Sequence, residues 1–269
     1  MKPSFFSPKS VFWRVNREFA CSLVAPRAVL MQIAHPLVAA GVAEHSEFSS
    51  HRFARLYRTA MAAAAITFGS RDFAIRALRS VNQKHHAVHG LLKNDAGIFP
   101  AGTPYDANDP ELKLWVLSTI TDSTLLAYDV FVSRLSLEDR RQYYTDSLVA
   151  ADLFGIPAGI VPQTYEEFLN YMDRMMNSGI IHVSQQARDI RKALFARTPS
   201  GMLLFAGSAA GVALLPKRLR HEFGFTWRFE DWRWLRKIPP ICKSLRRYTP
   251  GILCANPAAT ASELLLRWQ

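Results

Sequence analysis

The sequence predicts an all-α fold, a single-domain multi-helix bundle over residues 1–269 that is globin-like in packing at most. Three observations carry the prediction. Helix-start signals recur along the chain, with Ser70, Asp109, Ser136 and Thr164 each standing before a helical stretch. Glycine and proline cluster between such stretches, and no segment reads convincingly as a strand. Hydrophobic residues make up 49% of the chain and charged residues 20%, a globular balance in a length able to bury a large core.

Pro26 suits a first-turn position, and the apolar run Ala25 to Ala43 follows with Pro36 inside it. Proline lacks an amide donor and clashes with the preceding turn, so His35-Pro36 should kink this helix or divide it. His51 to Phe68, rich in alanine and arginine, is the next helix, and Gly69 ends it. Ser70 caps the one after, with Asp72 in its first turn, and this helix is expected to reach about Leu92. Asn94 to Asn108 holds Gly97, Pro100, Gly102 and Pro104 and reads as a loop. Asp109-Pro110-Glu111 opens a long helix towards Arg134. Ser136 to Asp139 and Thr164 to Glu167 have the capping-box form, and Gly155 to Pro162 connects the helices they begin. Val183 to Ala196, Ser200 to Leu215, Arg218 to His221 and Pro257 to Trp268 complete the set.

Cys21, Cys242 and Cys254 are few, odd in number and widely spaced, which fits neither a disulfide framework nor a zinc or iron–sulfur pattern. The N-terminus shows no continuous apolar run of signal-peptide type. The most apolar stretch, Met202 to Leu215, would rise only ~21 Å as a helix against a hydrocarbon core of ~30 Å, so it reads as a core helix. The expected location is cytoplasmic. The net charge of +11 is uneven: Lys217 to Arg247 holds ten basic residues against three acids, interleaved with Trp227, Trp232 and Trp234. An ordinary solvated face explains this segment, and a peripheral anionic membrane surface is the alternative. Nucleic acid is not expected as a partner.

Chemistry-bearing residues concentrate in Arg55-Leu-Tyr-Arg58-Thr59 and in Lys84-His85-His86-Ala87-Val88-His89-Gly90. On a helix His86 and His89 are three apart and His85 and His89 four apart, so these pairs share a face. Imidazole is the commonest metal ligand among side chains, and guanidinium meets carboxylates in a fork. Together the two stretches point to a metal or haem pocket; the plain alternative is core or surface histidines beside a solvated arginine face. Glycine-rich phosphate loops, nucleophile elbows and Cys-x-x-Cys-His haem-attachment motifs do not occur in the sequence.

The stretch Gln32 to Phe48, with His35-Pro36, Gly41 and Glu44-His45-Ser46, resembles the opening motif of the oxygenase MpaB/rubber oxygenase (latex-clearing protein) catalytic-domain family. Arg55 to Thr59 is similar to that family's Arg-x-x-Lys/Arg-Thr motif, and His86-x-x-His89 to its haem-ligand motif. Asp109 to Val116, Asp122-Ser123 and Leu135 to Tyr144 continue the likeness, which runs from about Arg14 to Leu219. The resemblance implies a haem b-dependent oxygenase acting with O2 on a hydrophobic small-molecule or lipid-like substrate, with oxidative cleavage of a carbon–carbon double bond as one outcome. It implies His89, 30 positions after Thr59, as the iron ligand, and His86 as a neighbour that orients or hydrogen-bonds near the iron. His85, turned about 100° from its neighbour, is read as surface. Arg55 would pair a haem propionate, Thr59 would donate a hydrogen bond, and Arg58 would contact a propionate or the substrate. Glu44 is the candidate catalytic base. His35 is expected to bond locally across the kink, and His45-Ser46 to cap the next helix.

Two positions depart from the family. Rubber-cleaving members carry a lysine, able to reach the distal side of the iron, where this chain has Arg58; arginine stays protonated and is a poor iron ligand. Many members carry a histidine where this chain has Leu117. These departures raise a non-catalytic haem- or lipid-binding protein as one rival. A non-haem metal site of His85, His86, His89 and Glu44 is a second. A basic helical protein docking on a membrane surface through Lys217–Arg247 is a third.

Overall fold

The computed structural model describes residues 4–45, 52–195, 209–225, 237–249, 251 and 254–267, without the side chains of 52–58, 245, 266 and 267. Helices dominate, as the sequence predicts, and one antiparallel strand pair is present among the described residues. The first helix, α1 (Val11–Asn16), starts at Ser10, whose hydroxyl accepts from the Trp13 amide at 3.1 Å. That start buries Trp13 completely, edge-on to Phe68 with ring centroids 4.9 Å apart. A 3-10 helix (Phe19–Val24) then leads into α2 (Ala25–Ile33).

The apolar run does divide at His35-Pro36. Helix α3 (Pro36–Glu44) leaves the preceding helical segment at 103°. His35 caps α3, its Nδ1 accepting from the Leu37 amide at 3.3 Å. The ring is buried, with Phe99 at 5.4 Å between centroids. Burial pulls its pKa from the ordinary 6.5 down to about 4, against the opposing pull of Asp109.

Helix α6 (Pro110–Phe131) forms the axis of the core. Asp109 caps it by accepting from the Glu111 amide at 2.8 Å and the Leu112 amide at 3.3 Å. Two contacts clamp α2 against it. Trp115 Nε1 donates to the Met31 carbonyl at 3.2 Å. Arg27, only 5% exposed, pairs with Asp122 at 2.7 Å and donates to Ser123 Oγ at 2.6 Å and to the Leu214 carbonyl at 3.0 Å. One guanidinium thus joins α2, α6 and the turn after the helical residues 209–213 (α10). Two buried oxygens would otherwise lack a donor, which is why a charged side chain is tolerated there.

At both predicted capping boxes the hydroxyl cap forms. The Asp139 amide donates to Ser136 at the head of α7 (Leu137–Leu153), and the Glu167 amide donates to Thr164 at the head of α8 (Tyr165–Asn177). Helices α9 (Gln185–Leu194), α11 (Lys217–Glu222), α12 (Ile238–Tyr248) and α13 (Pro257–Arg267) follow. One apolar cluster gathers residues from Phe6 to Ala259.

Two expectations need correction. Helix α5 (Arg71–His85) ends seven residues before Leu92. The chain instead turns into β1 (His89–Leu91), which pairs with β2 (Pro104–Asp106), so part of the expected helix and part of the expected loop are strand. The cause lies outside the helix: the Val88 carbonyl accepts from the Ala107 amide at 2.9 Å, and Gly90 lies so close under Tyr105 that a Cβ there would sit 2.6 Å from the hydroxyl. Helix α12 was not among the expected helices; Pro239 and Pro240 stand in its first turn, where their missing amides cost nothing. The predicted 200–208 part of a helix and Trp227, Trp232 and Trp234 lie outside the described residues. Among the described residues no single helix is long and apolar enough to cross a membrane.

Two outcomes follow from these packing contacts. Arg27→Met should lower stability on the order of 3 kcal/mol, because Asp122, Ser123 and the Leu214 carbonyl lose their shared partner; a denaturant midpoint unchanged from wild type would contradict it. His35 is held neutral in the folded state with its pKa depressed, so the unfolded chain binds more protons between about pH 6.5 and about pH 4. Stability should therefore fall as pH drops through that window, by up to about 3 kcal/mol. His35→Asn keeps a capping side chain and should flatten that part of the stability–pH curve.

Candidate functional site

Helices α4 (Arg52–Phe68) and α5 pack together and fold back on each other across Gly69-Ser70. A Cβ on Gly69 would come within 2.3 Å of the Ala65 carbonyl, so this tight return depends on glycine. Ser70 Oγ accepts from the Phe73 amide at 3.4 Å and starts α5. Arg55 to Thr59 stand in the first half of α4, and His85 is the last residue of α5. The helical backbone puts Arg55 on one face with Arg58 and Thr59, at three and four residues' spacing. The side chains of Arg55 and Arg58 lie outside the described residues. Thr59 is exposed, and the exposed surface continues over Ala60, Met61 and Ala63.

The histidine cluster is arranged differently from the helical expectation. His86 is the C-cap of α5, held by its amide to the Asn82 carbonyl, and is exposed. His89 stands exposed on β1 in extended backbone. The two therefore share no helical face, and the premise that placed both beside one iron is lost. His85, expected on the surface, is the half-buried member. Its Nδ1 is shielded from solvent and has no hydrogen-bond partner; one turn earlier, Asn82 Oδ1 is in the same condition. Burial lowers the His85 pKa from 6.5; Lys113 pushes the same way, Asp106 opposes and His86 adds a little. The result is a neutral imidazole with a ring nitrogen uncommitted, the form that binds metals.

Glu44 joins a second cluster, on the far side of the strand pair. The Tyr105 hydroxyl donates to Glu44 Oε2 at 3.1 Å, and Lys93 lies 3.4 Å from Oε1. His45 Nε2 is 3.2 Å from the His89 carbonyl and 3.4 Å from the Tyr105 hydroxyl. Burial and the Glu44 contact push the Tyr105 pKa up to about 12, so its phenol stays a donor. Glu44 and His45 thus fasten α3 to the hairpin. Ser46 and the helix start His45-Ser46 was expected to cap lie outside the described residues. His35 bonds locally across the kink, as expected. Leu117 packs half-buried against the main core. Among the described residues no three His, Cys, Asp or Glu side chains converge on a metal-sized site, so His85, His86, His89 and Glu44 do not form the non-haem centre considered above.

Two side chains of this region were missed or misread in the sequence, His85 and Tyr105. A signal for His85 exists: Val88 and Gly90, two and four residues after His86, are poor helix residues and mark a helix end, which removes His89 from the face of α5. Tyr105 lies in a stretch rich in glycine and proline, and only the pairing of Gly90 with it shows its role.

No curated protein and no solved structure matches the chain. The family model described as ER-bound oxygenase mpaB/B'/rubber oxygenase, catalytic domain, matches residues 13–243, from α1 into α12 and across the whole histidine and arginine region. The chain belongs to that family of oxygenase catalytic domains.

Proposed function

We propose that this protein is a haem b-dependent oxygenase that uses O2 on a hydrophobic substrate, and that His85 rather than His89 would hold the haem iron. The observation that carries the proposal is the His85 Nδ1 shielded at the end of α5 with no partner. Buried polar atoms are nearly always satisfied, so such an atom on a ligating side chain calls for an explanation, and a bound group beside it is one. The shielded, unpaired Asn82 Oδ1 one turn away belongs to the same unfinished environment. The exposed apolar surface of Ala60, Met61 and Ala63 after Thr59 suits a flat apolar ring. Arg55 would meet a propionate, and Thr59, on the same helical face, would donate a hydrogen bond. Haem, when bound, supplies the redox chemistry that activates dioxygen.

The protein's own contribution is positional. Helix α5 ends at His85 because the chain must enter the strand pair, and Tyr105, Glu44 and His45 hold that pair against α3. Glu44 acts there as a fastening residue, since its carboxylate is engaged by Tyr105 and Lys93. Arg58 remains the candidate for a propionate or substrate contact. The family description includes rubber oxygenase, whose named substrate is a long apolar chain, and this supports a hydrophobic substrate here.

Haem titration of the purified protein, followed by absorption, tests the reading. A saturable Soret shift near one equivalent is expected for wild type, and His85→Ala should abolish or strongly weaken it. His89→Ala should keep it, and His86→Ala should keep it with an altered spectrum. Loss of haem in His89→Ala with retention in His85→Ala would return the ligand to His89. A haem complex that consumes no O2 under reducing conditions would favour the non-catalytic rival that Leu117 raises.

A further inference from the structure

Basic residues on the sequence do not all reach the surface as free charge. In α11, Arg218 donates to the Ile181 carbonyl at 3.1 Å and Arg220 to the Ala213 carbonyl at 2.9 Å, while Leu219 is fully buried. These cations close helix ends and loops inside the fold. Helix α12 is different. Ile238 and Cys242 pack on the core, and Arg246 turns inward to Glu18, with Nε 3.1 and 3.0 Å from the two carboxylate oxygens. The opposite arc of the helix is exposed. Lys243 and Arg247, four apart, form its basic edge, and Ile241 and Tyr248, seven apart and 53% and 78% exposed, form its apolar edge. Lys237 is exposed at the start of the helix.

Helix α13 adds a wholly apolar outward face. Pro257, Ala261, Leu264 and Leu265 share it, and the two leucines are 44% and 55% exposed. Its inward face is pinned by Glu263, which accepts from Trp13 Nε1 at 2.8 Å and pairs with Arg17 at 3.1 Å. The two helices are therefore stapled to adjacent residues of one short segment, α12 to Glu18 and α13 to Arg17. The next residue, Phe19, is 54% exposed, and its amide donates to the Cys254 carbonyl at 2.9 Å. From Lys237 to Arg267 the chain carries five basic residues and one acid, Glu263. Both acids in this region, Glu18 and Glu263, are already engaged by arginines.

We infer that the outer surface of α12 and α13, with Phe19 beside them, is a docking face for an anionic lipid membrane. Charge decides the occupant: uncompensated lysine and arginine beside exposed leucine, isoleucine and tyrosine match phosphate headgroups over acyl chain. A second copy would bring the same positive charge against itself. The helices lie in the interface plane, and neither spans the bilayer. This inference goes beyond the proposed oxygenase reading and needs no haem, so vesicle binding and haem binding can fail independently.

The test is co-sedimentation of the full chain with phosphatidylcholine vesicles and with vesicles of phosphatidylcholine and phosphatidylglycerol, at low and high salt. Binding is expected on the anionic vesicles and should weaken with salt. Lys243→Glu with Arg247→Glu should reduce partitioning by roughly tenfold or more, as expected when two basic residues leave the headgroup layer. Leu264→Ser with Leu265→Ser should also weaken binding. All four positions are exposed, and unchanged circular dichroism should verify the fold of each variant. Equal partitioning onto neutral vesicles, no binding at low salt, or charge variants that bind like wild type would overturn the inference. So would a wild-type dimer in sedimentation velocity that the leucine variant disperses, because the apolar face would then belong to a second copy.

Discussion

The buried imidazole of His35, holding the Leu37 amide at the head of α3, marks the point where the chain turns through 103°. Two requirements meet at that turn. Upstream, α2 must lie along α6, and Arg27 and Trp115 clamp it there through Asp122, Ser123 and the Met31 carbonyl. Downstream, α3 must carry Glu44 and His45 to the strand pair, where Tyr105 and the His89 carbonyl receive them. A straight helix through Pro36 could satisfy only one of the two. The cap is apt because a neutral histidine accepts at Nδ1, whereas an imidazolium offers only donors. Depression of the His35 pKa by burial is thus the electrostatic counterpart of the turn.

The end of α5 is fixed by contacts outside that helix. Arg71 to His85 has ample helix-forming sequence, and the helical reading naturally extends through His86 to Leu92. Gly90 and Tyr105 decide otherwise, because they pair across the two strands and the Tyr105 ring and hydroxyl lie over Gly90 where a Cβ would stand. The consequence reaches the candidate site. A helix running to Leu92 would have put His86 and His89 on one face. A helix ending at His85 leaves that imidazole half-buried at its last turn, its Nδ1 shielded and without a partner, with His86 and His89 exposed.

This separates what was legible in the sequence from what was not. The capped helix starts at Ser70, Asp109, Ser136 and Thr164 were readable because the cap interacts with amides two or three residues on, a purely local event. The division at His35-Pro36 was readable because proline carries its constraint in its own ring. The strand pair was not, since its cause lies in a contact between residues 15 apart. The backbone conformation at His89 depended on that same contact. Arg27 was equally hidden: nothing local distinguishes it from a surface arginine, and its burial follows from Asp122 and Ser123 on a helix almost a hundred residues away. The shared helical face expected for His86 and His89 was lost with that strand pairing, since one caps α5 and the other stands on β1.

Charge shows the same dependence on distant partners. A net +11 reads as a basic surface, yet much of it is spent on structure. Arg27 satisfies a buried carbonyl, Arg140 pairs with Asp129 at the end of α6, and Arg218 and Arg220 donate to carbonyls around α9 and α10. Each of these positions needs a long cationic donor able to reach a backbone oxygen or a partly buried acid, and guanidinium offers several N–H groups in fixed directions. Net charge therefore overstates the field available to a partner. What remains free is set by which helix faces are left over once the carbonyls and acids are served. On α12 that remainder is Lys243 and Arg247, next to apolar side chains that the core does not cover.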